Sequence, residues 1–379
     1  MSGAVRRLLL LAAASAPLAA QEAPASRPVD ARAGFERGVA YLLEHQNSDG
    51  SWGGIRNRTM TDSFANAETH RSWGVATTGL VVHALLGAPG ERAATAAARG
   101  VDALAAQAPS VKRCANWDID NVWGYVYGLQ GAAQALKRAP PDDAARKESW
   151  RSAAQLFIKG LAQYQSPNGG WGYYADPEAA WRPEWATSFT TAAAVLALKD
   201  AEAAGLAVPE KVMKAALSAT TRARLPNGAY TYDVMALPRP RGVESIDHPR
   251  GSLGRTQVCG LARHLAGGGV PLEERREGIA RFFDQHVFLD CALRKPIPHE
   301  SWYANAAYFY LFGHYYAARM ISTLPAEERG PLYAKVVAET LKTQEADGGC
   351  WDFYIASHTK AYGTAFALLV LQEAGSPAP

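Results

Sequence analysis

Six times along the chain a helical pattern runs out, at positions 58 to 61 residues apart by subtraction of their numbers. Five of them carry glutamine (Gln46, Gln107, Gln165, Gln285 and Gln344) and the sixth carries Arg224. Four of the six share one form: the polar residue, Gly four places on, then an aromatic. These are Gln46–Gly50–Trp52, Gln165–Gly169–Trp171, Arg224–Gly228–Tyr230, and Gln344–Gly348 with Trp351 one place late. A fixed period of this size marks a repeat architecture, whose units bury their apolar faces only against one another. Gly enters the left-handed conformation at a helix end without steric penalty. The glutamine falls where the last helical carbonyls lack partners, so its amide is expected to donate to them or to a neighbouring turn. The aromatic is expected to drop back onto the helix just completed.

Between successive exits lies a second helical pattern, so each repeat is a helix pair. First members are predicted at 33–46, 93–107, 147–165, 209–223, 273–289 and 328–344, and carry charge on one side, as in Glu273 to Glu277. Second members are predicted at 74–87, 122–138, 187–204, 253–267, 302–321 and 361–374. Thr190 to Leu198 and Tyr303 to Phe312 contain no charge. A helix apolar on every face is buried on every side. Six buried helices alternating with six amphipathic ones, with almost no strand signal, predict an all-α fold: an (α/α)6 toroid of two concentric rings, apolar inside and amphipathic outside. An open solenoid would carry polar capping repeats at its ends, and the sequence shows none.

Arg6 and Arg7 precede an apolar run from Leu8 to Ala20, too short to span a bilayer and ending in small residues. This reads as an export signal over 1–20, followed by a disordered leader over 21–32 and one toroid domain over 33–379. A periplasmic or extracellular location is therefore expected, with no transmembrane helix. The net charge is +3 without a basic stripe, which argues against nucleic acid as a partner. The four cysteines, Cys114, Cys259, Cys291 and Cys350, allow up to two disulfides of unreadable connectivity and lack the paired short spacings of a zinc site.

The exits Gln46–Trp52, Gln165–Trp171 and Gln344–Trp351 resemble the glutamine–tryptophan repeats of squalene/hopene-type terpene cyclases and of protein prenyltransferase β subunits, over about residues 33 to 374. The resemblance implies the toroid, and an apolar, isoprenoid-like small molecule in its centre. It also gives a role to Asp118-Ile119-Asp120-Asn121, which is similar to the Asp-x-Asp-Asp motif of class II cyclases. Asp118 matches the first position and Asp120 the acid that protonates an alkene, while Asn121 stands where the family has a last carboxylate. Such an acid must be kept neutral by a dry site. The same aspartates could instead cap the helix that follows. The prenyltransferase zinc set finds one match, His358, where three ligands are needed, so no metal and no other cofactor is expected.

In a toroid the residues just before the inner helices surround one mouth of the central cavity. The candidates there are rich in rings: Trp73, Trp123, Trp185, Trp302, Tyr303, His358 and Tyr362 are the expected ligand-binding residues, with Asp118 and Asp120 as catalytic ones. Aromatic walls suit an apolar ligand or a cationic centre, although the same rings could fill the core. Two alternatives stay open. Carbohydrate-active (α/α)6 lyases or hydrolases would use His70, Arg71, Arg255, His299, Glu300, Tyr303 and His358 at the same mouth. A non-catalytic repeat protein would offer its rim to a partner.

Overall fold

The computed structural model describes residues 30–54, 65–111, 120–138, 143–173, 185–235, 245–267, 269–353 and 358–375. The predicted signal, the leader up to residue 29, Cys114 and Asp118 therefore lie outside the described residues; residues 30–32, expected as disordered leader, instead open the first helix, which Asp30 caps by accepting from Ala33 N. Twelve long helices fill the rest: α1 Ala31–Glu44, α2 Ala67–Leu86, α3 Glu91–Gln107, α4 Asn121–Arg138, α5 Ala144–Tyr164, α6 Ser188–Ala203, α7 Glu210–Arg222, α8 Leu253–Leu265, α9 Leu272–Asp284, α10 Phe309–Ile321, α11 Ala326–Leu341 and α12 Thr359–Glu373. A one-turn helix, Val287–Asp290, follows α9. Among the described residues β-pairing is confined to isolated bridges.

Even-numbered helices form the inner ring. Each packs on its two even neighbours in turn, and α12 returns to α2, so the ring is closed. Odd-numbered helices lie outside, with α1 in contact with both α3 and α11 across the point where the chain ends meet. The architecture is the (α/α)6 toroid expected from the repeat. The inner helices are buried almost throughout; in α6 every residue from Ser188 to Leu198 is buried. The closest approach in the ring is between α2 and α4. A Cβ on Gly79 would lie 2.0 Å from the carbonyl oxygen of Tyr127, and one on Gly131 would lie 2.6 Å from that of Gly79. Only glycine lets these two backbones touch.

Each repeated exit works as a staple between repeats. Gln46 Nε2 donates to Gly50 O and to Ala96 O on α3, both at 2.9 Å. Gln165 Nε2 reaches Gly169 O and Val212 O on α7. Gln344 Nε2 reaches Gly348 O and Gly34 O on α1, closing the ring. The amide thus serves its own turn and the next outer helix rather than the last carbonyls of its own helix. Those carbonyls go to the aromatics: Trp52 Nε1 donates to Leu42 O at 2.7 Å and Trp171 Nε1 to Leu161 O at 2.9 Å. Gly50, Gly169, Gly228 and Gly348 all have φ between 80° and 88°. In the last repeat Cys350, not Trp351, takes the place of the aromatic. Its amide donates to Thr364 Oγ1, as those of Trp52, Trp171 and Tyr230 donate to Thr78, Thr191 and Ser252.

Two inner helices start elsewhere than predicted. α2 begins at Ala67 because Asn66 accepts from Thr69 N and caps it, so Thr69 to Trp73 form its first turns. α10 begins at Phe309, since Trp302–Ala304 is a short 3-10 turn with Tyr303 at φ 55°. Cys259, Cys291 and Cys350 are free thiols. Among the described residues no helix is long and apolar enough to cross a membrane.

Candidate functional site

The middle of the ring is aromatic, as the sequence predicted, but the rings meet across it. Trp123 on α4 stacks on Tyr127 with centroids 5.5 Å apart, and touches Phe189 on α6 and Phe312 on α10, the helix diametrically opposite, at 5.9 and 6.1 Å. Tyr127 OH lies 3.5 Å from Tyr316 OH on α10, and Phe366 of α12 packs against both Tyr127 and Phe312. These side chains form a plug on the axis. Partly exposed groups gather above it, at the end where the inner helices begin, in two connected sectors.

The first sector is built on α2, the start of α4 and the start of α12. Asp120 immediately precedes α4 with φ 64°, a conformation unfavourable for a residue with a Cβ and a sign of local constraint. Its amide donates to Tyr173 O at 2.8 Å. Its carboxylate accepts from the indole N–H of Trp73 on α2 at 3.0 Å. Burial pushes the Asp120 carboxyl up to about 6, while the indole N–H pulls in the other direction. Trp73 in turn meets His70 edge-on at 5.3 Å and His358 at 5.8 Å. The backbone N–H of Gly54 donates to His358 Nδ1 at 3.1 Å, which places the proton of the neutral ring on Nε2, 3.4 Å from His70 Nδ1. Tyr362 stands between this sector and Asp352: burial raises its phenol well above the ordinary range, with Asp352 and then Asp120 adding to the effect.

The second sector joins α6, α8 and α10. His299 Nδ1 lies 2.7 Å from Ala304 O, so it carries a proton, and Nε2 of the neutral ring accepts from Tyr308 OH at 2.9 Å. Tyr308 OH reaches Tyr232 OH at 3.4 Å, and Tyr232 OH is hydrogen-bonded to Tyr173 OH. The backbone of Asp120 is held by the same Tyr173, so a chain of polar groups runs between the sectors. Burial, followed by the neighbouring phenols, raises Tyr308 well above the usual tyrosine range, so it remains an O–H donor. Arg255 lies beneath with no exposed surface, its guanidinium over the rings of Tyr232 and Phe309 at 5.4 and 5.5 Å. It donates to Ile246 O and Tyr230 O, fixing the segment that carries these rings. Trp185 edges onto Tyr173 at 5.0 Å and donates to Asp233 Oδ1 at 2.8 Å. His299, like Asp120, has a positive φ, at 66°. Among the described residues, two of the five non-glycine residues with that conformation are therefore the polar centres of the two sectors.

The structure thus brings Trp73, Asp120, Trp123, Trp185, His358 and Tyr362 to one mouth, together with His70, Arg255 and His299 from the carbohydrate alternative. Trp302 does not join them: it is 70% exposed. Tyr303 packs away from the mouth, stacked on His248 at 4.6 Å and hydrogen-bonded to Arg250. Five contributors escaped the sequence reading, namely Gly54, Tyr173, Tyr232, Tyr308 and Asp352. For all but Tyr308 a signal existed, since each lies two places beyond the exit residue Trp52, Trp171, Tyr230 or Cys350. Asp352 has no exposed surface, accepts from Leu311 N in the first turn of α10 at 3.2 Å, and is pushed up to about 7 by burial. A separate cleft of about 440 Å³ on the outer face, between the α7 exit and α9, is crossed by the Arg224–Glu274 and Arg263–Glu274 ion pairs and contains none of these residues.

Neither a protein-family model nor a curated protein matches the sequence. Solved structures do match in fold. The GH76A α-1,6-mannanase from Salegentibacter sp. HEL1_6 aligns over 91% of this chain and 100% of its own, with TM-score 0.59 and 12% identity. An arginine variant of the type II terpene cyclase MstE from Scytonema, in complex with geranylgeranyl dihydroxybenzoate, covers 91% and 97% with TM-score 0.50 and 16% identity. A glycosidase variant covers the same shares with TM-score 0.53 and 13% identity. The terpenoid-cyclase-like toroid is therefore shared with glycosidases, and at these identities the likeness is one of fold alone.

Proposed function

We propose that this chain is an exported carbohydrate-active enzyme that cleaves an oligosaccharide at the mouth of the toroid. The observation that carries the reading is the plug. With Trp123, Phe189 and Phe312 in mutual contact on the axis and Phe366 packed on Phe312, a folded polyprenyl chain finds no deep apolar chamber among the described residues. What stays partly open is a shallow floor of Trp73, Trp123, Trp185, Tyr173 and Tyr308 edged by Asp120, His70 and His299. Flat aromatic faces with polar edges suit sugar rings, and convergent acid–base groups suit glycosidic chemistry. Asp120, a carboxyl held to about 6, is the proton donor to the glycosidic oxygen. His299 is the base, reached through the O–H of Tyr308, which can accept a proton as it passes its own to Nε2. Among the fold neighbours the mannanase was solved with α-1,6-mannotriose and α-1,6-mannotetrose, a precedent for a saccharide on this architecture. The export signal read over residues 1–20 agrees with an extracellular polymer as substrate.

A second reading keeps Asp120 as the acid but gives it an alkene. It is favoured by the Trp73 indole N–H on the carboxylate and by the position of Asp120 just before α4.

The test is to incubate the purified protein with neutral and uronate-containing oligosaccharides, and separately with geranylgeranyl and squalene-type substrates, following products by mass spectrometry. Saccharide cleavage that falls at least a hundredfold in Asp120→Asn is the expected result. Conversion of the isoprenoid with no saccharide cleavage would replace the first reading by the second. Full saccharide activity in Asp120→Asn would remove both assignments of the acid.

A further inference from the structure

Outside the inner ring, between α9 and α11, His286, Asp290 and Glu339 turn three ligand atoms toward one another, all within 4.8 Å. His286 and Asp290 are one turn apart on the helical segment after α9, and Glu339 comes from the last turn of α11. A neighbouring hydrogen-bond chain decides which nitrogen of His286 faces this cluster. His314 on α10 lies with Nδ1 2.6 Å from Tyr310 O, and a carbonyl oxygen only accepts, so Nδ1 carries a proton. His314 has no exposed surface and packs against the Phe282 and Tyr310 rings, so it is neutral and its Nε2 holds a lone pair. That Nε2 is 2.9 Å from Nε2 of His286. His286 is therefore the donor there, which turns its other nitrogen to the cluster. That Nδ1 lies 3.1 Å from Asp290 Oδ2 and 3.7 Å from Glu339 Oε2.

These three ligand atoms crowd a small space beside a histidine side chain only 9% exposed, an arrangement that suits a bound cation. We propose that this cation is a divalent transition-metal ion of the zinc class, bound by His286 Nδ1, Asp290 and Glu339. The donor set is the nitrogen and carboxylate mixture that zinc accepts. The outer arrangement is the one that tunes such ligands: the coordinating imidazole gives its remaining N–H to His314, and Tyr310 OH lies 3.4 Å from Asp290 Oδ1. Lys342 Nζ is 2.5 Å from Glu339 Oε2; more than half exposed on a flexible stem, it swings to solvent as the ion enters. Three protein ligands leave a fourth position for water. The site lies on the outward side of α10, while Phe312 of the same helix faces the plug, so it is distinct from the mouth. It would tie the fifth repeat to the sixth, where Gln285 does not make the staple seen at Gln46, Gln165 and Gln344.

The experiment uses the untagged full chain, stripped with a chelator and desalted, then titrated calorimetrically with zinc chloride and spectroscopically with cobalt(II). One zinc per chain at micromolar affinity or tighter, with a visible cobalt band, is expected. Asp290→Asn and Glu339→Gln should each weaken binding at least tenfold, while Cys291→Ala on the neighbouring exposed thiol leaves it unchanged; circular dichroism confirms that each variant is folded. No binding at about 100 μM zinc, meaning that a proton alone fills the place, overturns the proposal. So does binding that survives both carboxamide variants or is lost with Cys291.

Discussion

Asp352→Asn separates the electrostatic cost of a buried carboxyl from every other effect of the change. The side chain has no exposed surface, Oδ1 has no hydrogen-bond partner, and burial raises its pKa from 3.8 to about 7. Between about pH 4 and 7 the unfolded chain gives up this proton while the folded one keeps it. The unfolded state then binds fewer protons, so this group lowers folding stability as pH rises, and the loss levels off above pH 7. At about 1.4 kcal/mol per unit, the penalty in the wild type is about 1.6 kcal/mol at pH 5 and about 4 kcal/mol at pH 8. Asparagine keeps an oxygen for Leu311 N, but its amide N–H₂ brings a cost of its own of about 1–3 kcal/mol that does not vary with pH. Subtracting the two proteins at each pH cancels every other titrating group, and comparing that difference at two pH values cancels the constant amide cost. The stability difference, variant minus wild type, should therefore rise by roughly 3 kcal/mol between pH 5 and pH 8. Urea unfolding followed by tryptophan fluorescence at the two pH values measures it. A difference independent of pH, or one that falls, refutes the account of Asp352 as an acid held neutral by burial.

Cleavage by the wild type should decline as pH rises through about 6, because Asp120 must be protonated to act, and initial rates between pH 4 and 9 would show it. Gln165→Ala removes two hydrogen bonds, one within its own turn and one that joins the α5 exit to α7, and should cost about 1–3 kcal/mol in urea unfolding. Gln107, with only a 3.4 Å contact to the exposed Asp49, should tolerate the same change within about 0.5 kcal/mol. Gly79→Ala drives a Cβ into the Tyr127 carbonyl and should destabilise by about 3 kcal/mol or more, seen as a lower Tm or insoluble protein. Trp302→Ala, at a side chain 70% exposed, should leave stability within about 0.5 kcal/mol.

Much of the toroid was legible because its determinants are local and repeated. Gly50, Gly169, Gly228 and Gly348 need a left-handed backbone wherever they occur, and the uncharged inner helices can lie nowhere but between other helices. The start of α2 was misplaced because His70 and Arg71 gave its first turns the look of a loop, although Asn66 and Glu68 form an ordinary helix start. Asp120 and His358 stood out by position, yet the partners that give them chemistry, Trp73 and Gly54, lie 47 and 304 residues away along the chain.

Period and polarity alone thus determined that this chain builds paired helices in two nested layers, because propensity and burial pattern act over a few residues. Whether the middle is open or filled was decided only by the folded ring. It depends on how far rings from α4, α6, α10 and α12 reach across a diameter, which is set by the close backbone contacts of residues such as Gly79 and Gly131. The raised pKa of Asp120, and the approach of His286 Nδ1 to two carboxylates, arose there too. Both follow from which groups exclude water and which donate a proton, and those neighbours come from helices distant in sequence.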